Sequence, residues 1–224
     1  MPLALITGAS RGLGLATAKA LAERGWSLIL DARGAGDLAA ATAGLDARLV
    51  PGDVADPAHR AELVSLAREH GRLDLLINNA SILGPSPQPN LRDYPLDVLR
   101  MVYDVNVLAP LALCQELLSL LAGGTVVNVT SDAAVEPYEG WGGYGSSKAA
   151  LEQMSAVLAA EEPGVRVYAF DPGDMRTAMH QAAFPGEDIS DRPLPESVVP
   201  ALLRLVDEKP AGFRHRASDL LVTA

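Results

Sequence analysis

The sequence predicts an α/β fold in which helices cover both faces of one doubly wound, mostly parallel sheet of about seven strands. Three observations carry this. Short apolar or β-branched runs alternate with helical patterns from one end of the 224-residue chain to the other. Several of the strand runs are apolar almost throughout, as strands buried on both faces are. A glycine-rich turn, Thr7-Gly8-Ala9-Ser10-Arg11-Gly12-Leu13-Gly14, joins the first strand to the first helix. No linker, internal repeat or low-complexity segment divides the chain, so residues 1–224 read as a single domain with one core. In such a sheet the ligand site belongs at the carboxyl ends of the strands.

In chain order, residues 3–7 form a buried strand closed by Gly8, and residues 13–24 a helix with Leu13, Ala16, Thr17, Ala20 and Leu21 on one stripe. Residues 27–31 are a strand, 38–43 a short helix, and 47–50 a strand stopped by Pro51-Gly52. Residues 57–70 are a helix with proline at its first position, and 73–77 a strand. Residues 83–95 hold Pro85, Pro87, Pro89 and Pro95 and read as a loop. Residues 95–121 are a long helical stretch kinked near Pro110. The β-branched run 125–130 is a strand, 143–161 a helix, and 165–170 a strand closed by Asp171-Pro172-Gly173. A helix over 197–206 and a short strand near Phe213 complete the pattern.

Composition excludes several functions. A net charge of −10 argues against a nucleic-acid or anionic-membrane surface. No apolar run is long enough to span a bilayer, and the first residues lack the basic region of a signal peptide. A cytoplasmic location is expected. The single Cys114 cannot form an intramolecular disulfide; among Leu111, Leu113, Leu117 and Leu118 it reads as packing. His59, His70, His180 and His215 show no metal-ligand spacing, so no metal is expected, and His180 is placed on the surface.

Two constellations carry chemistry. Glycines in the first turn permit a tight bend and close approach of backbone to a pyrophosphate, and the helix that follows offers free N–H groups and a favourable dipole. Tyr144 and Lys148 stand four residues apart on one helix face. A lysine ammonium beside a phenol favours the phenolate, and a free phenol titrates near about 10.

The Gly-x3-Gly-x-Gly spacing resembles the classical short-chain dehydrogenase/reductase (SDR) family, and the resemblance covers nearly the whole chain. Asp53-Val54 follows the third strand, Asn78-Asn79-Ala80 ends the fourth, Asn106 lies in the long helix, and Ser131 ends the fifth strand. Tyr144 and Lys148 follow, then Pro172-Gly173 and Thr177 after the sixth strand. The resemblance implies a Rossmann fold and hydride transfer between a nicotinamide cofactor and a carbonyl or alcohol carbon. It makes Tyr144 the acid/base, with Lys148 lowering its pKa and binding the ribose. It makes Ser131 the residue that orients the substrate oxygen, and Asn106 the holder of a water chain towards Lys148. It implies cofactor contacts from Gly8, Ser10, Arg11, Gly12, Leu13 and Gly14, from Arg33, Asp53, Val54, Asn79 and Ala80, from Tyr144 and Lys148, and from Pro172, Gly173 and Thr177.

Arg33 and Arg11 favour NADP(H), because guanidinium binds a 2′-phosphate bidentately, while Asp31, one position early for an NAD-selective carboxylate, keeps NAD(H) open. Ser81 departs from the family's Asn-Asn-Ala-Gly. Residues 178–196 are expected to form a short substrate lid. Ile82, Leu83, Ala133, Tyr138, Trp141, Met175 and Phe184 are the candidate substrate contacts, which suits a carbonyl with hydrophobic bulk. The resemblance implies a homodimer or homotetramer. The competing reading is a catalytically silent NAD(P)-binding regulator or scaffold, against which the Asn106, Ser131, Tyr144 and Lys148 set argues. An extended-type epimerase or dehydratase would be longer and would carry a different glycine spacing.

Overall fold

The computed structural model describes residues 1–221, so the last three positions of the 1–224 expectation lie outside the described residues. Seven strands form one sheet: β1 (Leu3–Ile6), β2 (Ser27–Ala32), β3 (Ala47–Pro51), β4 (Leu75–Asn78), β5 (Thr125–Val129), β6 (Arg166–Asp171) and β7 (Arg214–Arg216). Their order is β3-β2-β1-β4-β5-β6-β7 and every pairing is parallel, so the sheet is wholly rather than mostly parallel. The order reverses between β1 and β4. At that point the loops leaving the two strands run in opposite directions and open a crevice.

Successive residues of the central strands point to opposite faces, so each strand feeds two cores. Ala4, Ile6, Leu75 and Ile77 pack with helix α1 (Gly12–Glu23), α8 (Val199–Asp207) and α9 (Ala217–Leu221). Leu3, Leu5, Leu76 and Val126 pack on the other side with α3 (Pro57–His70) and α5 (Ala109–Leu117). Cys114 belongs to this second core and is buried.

The remaining helices are α2 (Ala35–Ala41), α4 (Leu96–Tyr103), α6 (Gly142–Glu161) and α7 (Ala178–Ala183). The long stretch after the proline-rich loop is broken before Pro110, not at it: a π-helical turn, Asp104–Leu108, separates α4 from α5. Pro110 lacks the N–H that a continuous α-helix would give to the Asn106 carbonyl, and the chain relaxes over the preceding turn. Helix α2 begins three residues earlier than the pattern suggests. Helix α7, inside the segment expected as a lid, gave no sequence signal because its six residues are too few to show a period.

Candidate active site

The glycine turn sits at the switch point. Gly8 and Gly12 take φ values of +68° and +57°, which L side chains rarely adopt. A Cβ on Gly14 would lie 2.5 Å from the Gly8 carbonyl oxygen, so the turn is closed to any larger residue there. Asn79 clamps it from β4, its Nδ2 donating to the Thr7 and Gly8 carbonyls at 2.8 and 3.1 Å. Arg11 stands at the N-cap of α1 with an extended backbone and no side-chain cap, so no side chain takes up the first-turn N–H groups. An open helix N-terminus behind a glycine cradle fits a dinucleotide pyrophosphate. Leu13 is buried in the core and can contribute only its backbone. The Thr177 methyl comes within 3.6 Å of where a Gly12 Cβ would be, so the turn after β6 closes over the same crevice.

Other expected cofactor residues are already engaged in ordering their loops. Asp53 accepts from the Ala55 N–H, Val54 is buried with Ala80, Ile82 and Val105, the Gly173 N–H donates to Asp171, and Thr177 caps α7. Arg33 and Arg11 are exposed. Asp31 is 1% exposed: one carboxylate oxygen accepts from the Gly8 N–H at 2.8 Å, and the other lies 3.0 Å from His59 Nε2. Burial raises its pKa against the pull of these partners. The carboxylate faces the glycine turn and not the end of β2, which removes the main argument for NAD selectivity.

At the C-terminal end of β5 the four catalytic candidates converge. Asn106 sits in the π turn, wholly buried. Its Oδ1 accepts from Ser81 Oγ at 3.1 Å and the Ile82 N–H at 2.9 Å, and its Nδ2 donates to the Ile82 carbonyl and Ser147 Oγ, each at 3.0 Å. Its side chain therefore fastens two loops and is fully used by protein partners. Ser131 donates to Asp132 Oδ1 at 2.9 Å and accepts from the Ala133 N–H at 3.2 Å. Lys148 is buried with Nζ donating to the Val129 carbonyl at 2.8 Å and lying 5.5 Å from the Tyr144 ring centroid. Burial lowers its pKa to about 7, against the opposing charge of Glu152.

Tyr144 departs from expectation. Burial pushes its phenol well above its ordinary value; hydrogen bonding with Ser81 and Ser131 pulls it down, while the charges of Asp171 and Asp132 push it further up. Lys148 Nζ, 5.5 Å from the ring centroid, is not among the groups that hold the phenol down. In the sequence Ser81 reads as a departure from the family pattern and not as a site residue. Only its fold position, between Asn106 and Tyr144, reveals it.

Around Tyr144 lie Leu83 and Ala133, with Trp141, Met179, Ala182 and Ala183 against them. Trp141 stands edge-on to Tyr144 at 5.9 Å and meets Phe184 at 5.7 Å and Tyr138 at 6.3 Å. Half-buried Met175 packs against the core on the α1 side, and half-buried Ile82 packs with Val54 and Val105. His180 is not a surface residue: its side chain is 10% exposed, with Nδ1 3.7 Å from Asp174 and the ring against Phe184. Among the described residues no cluster of His, Cys, Asp or Glu could hold a metal.

Comparison with known proteins decides the family. The short chain dehydrogenase model matches residues 2–188. The chain belongs to the short-chain dehydrogenase family. It is accordingly an oxidoreductase that moves hydride between a nicotinamide cofactor and a carbonyl or alcohol carbon. Among family members, it is 35% identical to sepiapterin reductase of Rattus norvegicus over 199 residues, 80% of this chain and 76% of the relative. It is 34% identical to a benzil reductase ((S)-benzoin forming) of Saccharomyces cerevisiae over 220 residues, 89% of this chain and 79% of that one. A short chain dehydrogenase of Shigella flexneri 2a complexed with NADP superposes with a TM-score of 0.89 at 30% identity, covering 97% of both chains.

Proposed function

We propose that this protein is an NADPH-dependent carbonyl reductase for ketones or aldehydes with aromatic or apolar bulk, and that Tyr144 is its proton donor. The carrying observation is the Tyr144 phenol, buried under an aromatic wall and flanked by the Ser81 and Ser131 hydroxyls. When bound, the nicotinamide supplies the hydride. Ser131 orients the carbonyl oxygen by hydrogen bonding, and Tyr144 gives that oxygen its proton. A phenol kept neutral by burial is a competent acid in this direction. Lys148, with a pKa near 7, is the adjacent group able to hold a proton and return it to the phenolate. Asn106 keeps Ser81 and the β4 loop in register with the phenol.

NADPH is preferred over NADH on two grounds. Asp31 is turned inward, and Arg33 stands exposed at the end of β2. The NADP-bound Shigella flexneri neighbour supports the choice. The two named reductases support a carbonyl substrate, and the Trp141–Phe184 wall supports an aromatic one. The deciding experiment is a reduction screen with NADPH and NADH over aldehydes, ketones, benzil-type diketones, quinones and 3-oxoacyl thioesters. Turnover of aryl ketones with NADPH is expected. NADPH binding without turnover across the panel would instead favour the silent-scaffold reading.

The contacts ordered by Asp53, Thr177 and Gly173 make residues 1–224 one functional domain in this reading, with α7 and the segment to 196 as its lid. Pairing of copies is proposed through α5 and α6, between which Pro110, Leu111, Cys114, Leu151, Met154 and Leu158 line a small, mostly apolar cleft. A monomer in sedimentation at micromolar concentration would refute it. A reducing, cytoplasmic location suits the lone buried Cys114, whose thiol burial pushes up to about 12.

A further inference from the structure

Behind Ser131 and Lys148 lies a charged cluster assembled from three strand ends and one helix turn. Glu152, 8% exposed, follows Lys148 by one turn of α6. Its Oε1 accepts from Thr130 Oγ1 at 2.7 Å, and its two oxygens lie 3.0 and 3.1 Å from Arg214 Nε. Asp171, 3% exposed at the end of β6, meets Arg214 Nη2 at 3.1 Å through one oxygen and accepts the Gly173 N–H at 3.0 Å through the other. Arg214 Nη2 also makes a long contact, 3.4 Å, to the Ser131 carbonyl. Arg216 stands 3.7 Å from Asp171 and completes the charge balance.

Without a guanidinium here, two buried carboxylates would face the catalytic pair. Glu152 acts on Lys148, and Asp171 acts on Tyr144. The other titratable groups near the pair are Asp132 after β5 and Arg216 on β7; His215 packs edge-on to Tyr168 at 5.4 Å.

We propose that Arg214 is a positioning residue for the catalytic centre. It gathers Glu152 and Asp171 into one compensated cluster behind Ser131 and Lys148, so that Lys148 faces a backbone carbonyl and not a free carboxylate. The same fork ties the turn carrying Ser131 to the turn carrying Gly173. Its catalytic sense rests on the reductase reading above. The electrostatic claim stands on the cluster alone.

The chain has three lysines, Lys19, Lys148 and Lys209, so nuclear magnetic resonance of protein labelled with ¹³C-lysine reads Lys148 directly, with Lys148→Met giving the assignment. In the wild type Lys148 should titrate near 7. Arg214→Gln frees the carboxylates and should raise that midpoint by roughly one pH unit, Glu152→Gln should lower it by a similar amount, and Arg214→Lys should lie between Arg214→Gln and wild type. Opposite displacements are a signature that a purely structural role would not produce. If Arg214→Gln fails to fold, Glu152→Gln decides alone, since its amide oxygen can still accept from Thr130 and Arg214. An unmoved midpoint in Glu152→Gln, or displacement of both variants in one direction, overturns the proposal. The displaced titrations together with no turnover by the wild type would uphold the cluster and defeat the reductase reading.

Discussion

Ser81 is where the residue scale is most informative. Its hydroxyl donates to Asn106 and stands against the Tyr144 phenol, a place where the family pattern has glycine. By turning its one hydrogen from Asn106 Oδ1 to the phenol oxygen, that hydroxyl can stabilise the phenolate left after proton transfer. Ser81→Gly should therefore lower turnover about three- to tenfold, the worth of one hydrogen bond, with NADPH affinity unchanged. Steady-state kinetics beside fluorescence titration of NADPH would check this; unaltered turnover would show the hydroxyl to be idle. Arg33→Ala should lower affinity for NADPH roughly ten- to hundredfold while sparing NADH, the cost of losing a charge-assisted pair. Equal loss with both cofactors would contradict the assignment of Arg33 to the 2′-phosphate. Local spacing singles out only Tyr144 and Lys148; Asn106 and Ser131 were nameable only through the resemblance to the short-chain dehydrogenase/reductase family. Ser81, Glu152 and Arg214 were not read as site residues. Arg214 meets Glu152 across 62 positions, and no local pattern announces such a pairing.

Among the elements, the β1–α1 turn was legible from its glycines: Gly8 and Gly14 are demanded by backbone that a side chain would strike, and Gly12 by its positive φ. Gly14→Ala should destabilise the protein by about 1–3 kcal/mol, because the atom it meets at 2.5 Å is backbone and cannot swing aside. Gly36, within α2, has nothing within 4 Å of a Cβ, and Gly36→Ala should stabilise by about 0.5–1 kcal/mol. Thermal melting of the two variants, moving in opposite directions, tests the contrast. The π turn around Asn106 was only half legible. Proline at position 110 announces a break, but where the helix yields depends on the packing of its preceding turn. Helix α7 is too short for periodicity to name, whereas the short strand expected near Phe213 is β7, at Arg214–Arg216.

The whole molecule is arranged to keep one amine and one phenol dry at the mouth of its crevice, at a cost in stability. Lys148 has a folded-state pKa of about 7 against 10.5 for the free group. Between these values the unfolded chain binds more protons than the folded one, so this group makes stability rise with pH across that window; below about 7 its penalty is complete. Lys148→Met should consequently raise the melting temperature, most at acidic to neutral pH and progressively less towards 10, while abolishing turnover. A melting difference independent of pH would mean that the amine is not buried as a titrating group. The central claim is that the Tyr144 hydroxyl delivers the proton in an NADPH-dependent reduction. Its most direct test is the rate of NADPH consumption by wild-type and Tyr144→Phe proteins on an aryl ketone, with NADPH binding measured alongside. Turnover should fall by at least about a thousandfold with binding retained, in line with removal of a general acid; turnover close to wild type in the phenylalanine variant would show that Tyr144 is not the proton donor.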